Sequence, residues 1–243
     1  MRPLRKFYQK VAFMLSVNWV KTIYFNFKMF PLNQAIKLPV YFYGSVKFKN
    51  LKGKIIINAP LKKGMIGFGQ AYEIISRSKG TAELHLEGTL SFYGNVQFGK
   101  DYFVFVGPNA SLQMGNMASL GNSGKIICYE RIELGNFARI GFESQLSDTT
   151  AHQMVNTLTG EKYPLTTPIS IGNFNYISNR VTILAGTVTS DYCSIASNSL
   201  CTKDYTSLGQ NILIGGIPAK LLKTDISRDW DGEMPLMMKW LCV

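Results

Sequence analysis

The first 63 residues contain no acidic side chain. Thirteen of the 26 Lys and Arg residues fall there, and the first carboxylate is Glu73. The other 180 residues carry 13 basic and 15 acidic groups, so the net charge of +11 belongs to the N-terminal region. Histidine is nearly missing: His85 and His152 are the only two in 243 residues, too few for a zinc site of three histidines. The four cysteines form no Cys-x-x-Cys pair, so neither a metal knuckle nor a disulfide framework is indicated, and a reducing, cytoplasmic setting is expected. No apolar run approaches the roughly 20 residues that cross a bilayer. Residues 11–20 come nearest, and no small-residue cleavage site follows to make them a secretory signal. No Gly-rich phosphate loop of the P-loop or dinucleotide type occurs.

What the chain does have is a step of six. Ile171, Ile177, Ile183, Thr189, Ile195 and Cys201 are spaced six apart. Four residues after each come Asn175, Val181, Thr187, Cys193, Ser199 and Tyr205, mostly small. Helices repeat near 3.6 and strands near 2, so neither produces this period. A coil of three short flat sides does, with one large aliphatic residue inward on each side and a small one at each corner. Stacked coils then bury a continuous apolar file at the spacing of neighbouring strands. The same step links Cys128, Leu134, Ile140 and Leu146. Leu146 and Ile171 are 25 residues apart, one more than four repeats, so the register breaks between them and residues 147–170 read as a loop thrown from the column; Gly160, Pro164 and Pro168 suit that. Loops on rigid scaffolds are where function concentrates, and this one carries His152.

These residues resemble the hexapeptide-repeat acyltransferases. Ser147-Asp148-Thr149-Thr150-Ala151-His152 is similar to the family's loop ending in the catalytic histidine. Cys201-Thr202-Lys203-Asp204 and Gly216-Ile217-Pro218-Ala219-Lys220 are similar to its closing signature. The resemblance is strong over residues 134–223 and weaker over 98–131. Tyr176-Ile177-Ser178 departs from the usual Trp-Ile-Gly near the ligand groove.

The resemblance implies an all-β fold: a left-handed parallel β-helix over residues 36–223, with a basic aromatic N-terminal helical segment (1–35) and a C-terminal extension (224–243). It implies an acetyl-CoA-dependent O-acetyltransferase acting on a sugar hydroxyl of a bacterial surface polysaccharide or its lipid-linked precursor. His152 is the expected general base. Asp148 either orients His152, holds an acceptor hydroxyl or caps the loop. Along the sugar O-acetyltransferase branch, Asn179, Ser197, Thr202 and Lys203 would line the pantetheine and diphosphate path, and Lys220 and Lys223 would meet the ribose phosphate. A homotrimer is implied, with His152 facing a neighbour's C-terminal coils, and no metal. The γ-type carbonic anhydrases, also built on this fold, need three histidines. Two alternatives remain: N-acetylation of an amino sugar carried on a nucleotide, and a non-catalytic trimeric scaffold.

The rest of the chain is read from its residues. Residues 4–28 suit a helix with bulky side chains on most faces, either packed on the column or resting on an anionic membrane. No nucleic-acid module is recognisable, so no nucleic acid is expected as partner. His85 alternates with leucines on the outer face of a strand, beside two glutamates. Cys128, Cys193 and Cys201 fall at inward positions. The tail, with Trp230, Met237 and Trp240, is too apolar to stay in water and is expected to fold back on the column or a partner. Residues 31–97 read as early, irregular coils.

Overall fold

A computed structural model of the chain describes residues 15–70 and 80–241. The described strands wind into three parallel sheets, the faces of a left-handed parallel β-helix. The first sheet runs Val40–Phe42, Ile66–Phe68, Val96–Phe98, Ser119–Leu120, Arg139–Ile140, Tyr176–Ile177, Cys193–Ile195 and Ile212–Gly215, and ends on the antiparallel Lys220–Lys223. The second runs Val46–Leu51, Ala82–Leu86, Phe103–Val106, Lys125–Cys128, Gln145–Ser147, Thr182–Leu184 and Leu200–Cys201. The third runs Lys54–Ile57, Thr89–Phe92, Ser111–Met114, Arg131–Leu134 and Ile169–Ile171, and single bridges carry it on through Val188 and Asp204.

Register explains the core. Phe42, Phe68, Phe98, Leu120, Ile140, Ile177, Ile195 and Ile214 occupy one position in successive coils of the first sheet, all but buried. The phenylalanines stack, Phe42 on Phe68 at 5.0 Å and Phe68 on Phe98 at 4.1 Å. The early coils are thus wide and aromatic and the later ones narrow and aliphatic. The sixfold step is exact only where the column is narrow: Ile177 and Ile195 are three hexads apart, whereas Phe98 and Leu120 are separated by 22 residues. The described strands from Val40 to Phe98 pair into all three sheets, with one register shift between Phe48 and Asn50.

Two corners are turned by left-handed residues, which bring backbones of adjacent coils close. Between the third and first sheets these are Met117, Phe137, Phe174 and Tyr192, with φ of 53–62°. Bulky side chains disfavour that region, but here they stack, Phe137 on Phe174 at 5.0 Å and Phe174 on Tyr192 at 4.9 Å. One residue earlier runs a polar ladder. The side-chain oxygens of Asn116, Asn136, Asn173 and Asp191 accept from the backbone N–H of Asn95, Asn116, Asn136 and Asn173, respectively, at 2.7–2.9 Å. Each coil is therefore tied to the one before it.

One helix closes the N-terminal end, and another packs along a corner of the later coils. A single helix over 4–28 is not what forms. Residues 1–14 lie outside the described part, and the chain breaks at Val17, which bridges Tyr43, and at Asn18, which caps α1 (Trp19–Met29). One face of α1 seals the first coil. Phe25 packs on Phe42 and Phe48, and Thr22 and Asn26 reach the otherwise open edge of the first strand. Thr22 Oγ1 accepts from Phe42 N (3.0 Å); the Asn26 amide accepts from Val40 N (3.2 Å) and donates to Val40 O (2.7 Å). A short α2 (Leu32–Ala35) follows. At the other end the tail does fold back: Trp230 and Met237 of α3 (Trp230–Leu241) are buried on Met117, Phe137, Phe174 and Tyr192. Cys242 lies outside the described residues.

Candidate active site

His152 sits on an exposed arm between Gln145–Ser147 and Ile169–Ile171, at the corner joining the second and third sheets. The arm is more structured than a simple loop. It is a narrow antiparallel excursion, bridged at Thr149–Thr166 and Val155–Lys162. The turn at its base is pinned by hydroxyls: Thr149 Oγ1 donates to Leu165 O (3.0 Å) and accepts from Ala151 N (3.0 Å), and Thr150 Oγ1 donates to His152 O (2.9 Å). Ala151, in a left-handed conformation, then throws His152 outward. The imidazole is exposed, and no described residue hydrogen-bonds it.

Asp148 does something else. It is fully buried, and its carboxylate accepts three backbone N–H groups, from Tyr129 (2.8 Å), Glu130 (2.8 Å) and Arg131 (2.9 Å). Of the roles open to it, the geometry matches the loop cap; it neither orients His152 nor is exposed to an acceptor hydroxyl. With Thr166 Oγ1 donating to Glu130 Oε2 (2.6 Å), it fixes the root of the arm to the coil beneath. Sequence reasoning left the cap open among three roles and could not name its donors, which lie some 18 residues away along the chain.

The residues expected to line one cofactor track stand at two different corners. Thr202 and Lys203 follow Leu200–Cys201 at the same corner as the arm, both exposed, with Lys203 Nζ 5.6 Å from the ring centre of Tyr205. Asn179 and Ser197 stand at the corner between the first and second sheets. Asn179 Oδ1 accepts from Phe142 N (3.2 Å), and the Ser197 and Ser178 hydroxyls are 2.7 Å apart. Lys220 and Lys223 are exposed on the final strand of the first sheet. A triangular coil sets the arm's corner opposite that sheet.

On the first sheet's outer face, beside α3, lies an open groove of about 430 Å³, lined by Tyr176, Ser194, Leu213, Ile226, Arg228 and Glu233. Arg228 lies over the rings of Tyr176 (5.3 Å) and Trp230 (5.1 Å) and pairs with Glu233, its Nε 2.9 Å from Oε2. Nearby, Arg139 is buried and donates from Nη1 to Met117 O (2.8 Å). Burial, and secondarily Arg228, lower its pKa to about 9, which leaves it charged at neutral pH. Sequence reasoning passed over Arg139, Arg228 and Glu233.

The other polar candidates are structural. His85 is half-buried, its Nε2 2.7 Å from Glu87 Oε1 and its ring 4.7 Å from Phe105. Cys128, Cys193 and Cys201 are buried; desolvation pushes Cys193 and Cys201 up to about 12 and Cys128 higher still. Among the described residues, no three His, Cys, Asp or Glu side chains cluster as metal ligands would. No helix among them is long and apolar enough to cross a membrane.

No family model matches the sequence, and it has no match among curated proteins. Solved structures do match. NeuO, a polySia-specific acetyltransferase, superposes with a TM-score of 0.52 at 16% identity, over 76% of this chain and 82% of NeuO. A mutant of AntD, an N-acyltransferase from Bacillus cereus in complex with dTDP and coenzyme A, gives 0.49 at 12% identity, over 87% and 97% of the two chains. The polysialic acid O-acetyltransferase OatWY gives 0.44 at 16%, over 78% and 76%. At such identities the likeness to NeuO is one of fold.

Proposed function

We propose that this chain is a hexapeptide-repeat acyltransferase that uses acetyl-CoA to O-acetylate a sugar hydroxyl. His152 is its general base. The acceptor is a glycan, a bacterial surface polysaccharide or its lipid-linked precursor, and the protein acts in the cytoplasm as a homotrimer. The observation that carries this reading is the exposed imidazole of His152 on an anchored arm, at the corner it shares with Thr202 and Lys203. That NeuO, on the same fold, is a polySia-specific acetyltransferase supports it.

A thioester is already activated, so no acyl-enzyme is required. A neutral imidazole accepts the proton of the sugar hydroxyl as that oxygen attacks the thioester carbonyl. The tetrahedral oxyanion is met by backbone N–H groups at the coil corners. Its collapse breaks the C–S bond, and the departing thiolate takes the proton back from the imidazolium. Thr202 and Lys203 bind the pantetheine and diphosphate, the lysine pairing with phosphate. Asn179 and Ser197 act from the next corner, and Lys220 and Lys223 take the ribose phosphate. The placement of these groups on different faces favours a site assembled between copies, the arm of one reaching the C-terminal coils of the next.

The test is thermal unfolding with and without acetyl-CoA, together with release of free thiol, on the wild type and His152→Ala. Acetyl-CoA at 100 times its dissociation constant adds about 2.7 kcal/mol to either protein. The wild type then releases thiol when a suitable glycan is present, and His152→Ala does so about 10²–10⁴-fold more slowly. If neither protein responds to acetyl-CoA, the reading loses its donor.

A further inference from the structure

The N-terminal end of the column presents an unusual surface. The inner face of α1 is used up in sealing the first coil. Its opposite face carries Val20, Ile23 and Phe27, exposed at 77%, 49% and 50%; Leu32 of α2 adds 68% and Ile36, which caps α2, adds 63%. Large apolar side chains gathered in this way mark a surface that meets something other than water. Beside them lies an open hollow of about 470 Å³, lined by Lys28, Met29, Leu51, Lys52, Lys54 and Ile56, half aliphatic and half ammonium. Residues 15–63 carry nine lysines and no carboxylate.

We propose that this end of the column docks on an anionic phospholipid surface. The five apolar side chains enter the boundary between headgroups and acyl chains, and Lys28, Lys52 and Lys54 hold a lipid phosphate in the hollow. The two halves of the surface match the two halves of that partner. A second copy is a poor occupant, because end-to-end packing would set one lysine cluster against another. The proposal does not depend on the transferase reading.

The experiment is co-sedimentation of the full chain with phosphatidylcholine vesicles, with and without phosphatidylglycerol, at low and high salt. Two variants accompany it, Ile23→Ser/Phe27→Ser and Lys28→Gln/Lys52→Gln/Lys54→Gln. All these positions are exposed, so unfolding midpoints stay near the wild-type value, which is measured alongside. The wild type is expected to bind only the anionic vesicles and to release them at high salt. Each variant is expected to bind at least about tenfold more weakly, in line with the cost of removing juxtamembrane charge or inserted apolar area. Absence of wild-type binding overturns the proposal, as does wild-type affinity in both variants. A change in solution mass caused by the serine variant also overturns it, because the face would then lie between copies.

Discussion

Two residues of the arm, four positions apart, sit in opposite settings. Asp148 is buried under three N–H donors, and His152 is in water. Replacing Asp148 with Ala strands those donors, and the expected loss is about 2–4 kcal/mol in chemical denaturation. His152→Ala should stay within about 0.5 kcal/mol of wild type while abolishing transfer. A stability loss at His152 equal to that at Asp148 would show that the arm has been misjudged. The histidine was singled out because it stands in a recognisable string of residues; for Asp148 the cap was one of three roles left open, and its donors were not legible, because only folding brings Tyr129, Glu130 and Arg131 to it. The buried thiols carry a pH signature. Their folded pKa values lie above the ordinary 9.0, so the protonated form is favoured by the fold. Their stabilisation is complete below pH 9 and is lost as pH climbs towards 12. Arg139, whose pKa is lowered from 12.5, works in the opposite direction over the same range. Stability followed by urea titration should decline above pH 9, and less steeply in Cys193→Ala/Cys201→Val.

At the scale of elements, α1 is both plug and hydrogen-bonding partner. An exposed strand edge is a template for unwanted pairing, and Thr22 and Asn26 occupy this one. Asn26→Ala should therefore speed hydrogen exchange at Val40 and Phe42 before it affects the middle coils, at an overall cost of about 1–3 kcal/mol. Uniform exchange across all coils would contradict that. Bulky residues around the helix were visible in the sequence. The break at Val17 and Asn18 was not, since it depends on a bridge to Tyr43. The corners show a similar contrast. A Cβ on Gly135 would stand 2.7 Å from the backbone of Gly172 in the next coil, where nothing flexible can give way. Gly135→Ala is expected to cost about 1–3 kcal/mol in thermal unfolding.

Across the whole molecule, the coils around Ile177 and Ile195 betrayed the fold because their sides are six residues long and their inward residues aliphatic. Upstream, larger coils and stacked phenylalanines hid the same register in irregular spacing. The placement of His152 at one corner and of Asn179 and Ser197 at the next predicts complementation. His152→Ala and Ser197→Arg chains, each inactive alone, should regain thiol release when co-expressed if one copy's arm meets another's coils; no recovery would place the whole site within one chain. The column also has a length. Successive coils rise by about 4.8 Å, and the arm leaves the fifth. The imidazole of a molecule standing on its N-terminal end is thus held roughly 20 Å above the floor. If the docking and the transferase reading both hold, the scaffold would act as a ruler: it would pass over sugars close to a lipid anchor and select hydroxyls several units along the glycan, and adding or removing one whole coil would move that mark by a single rung.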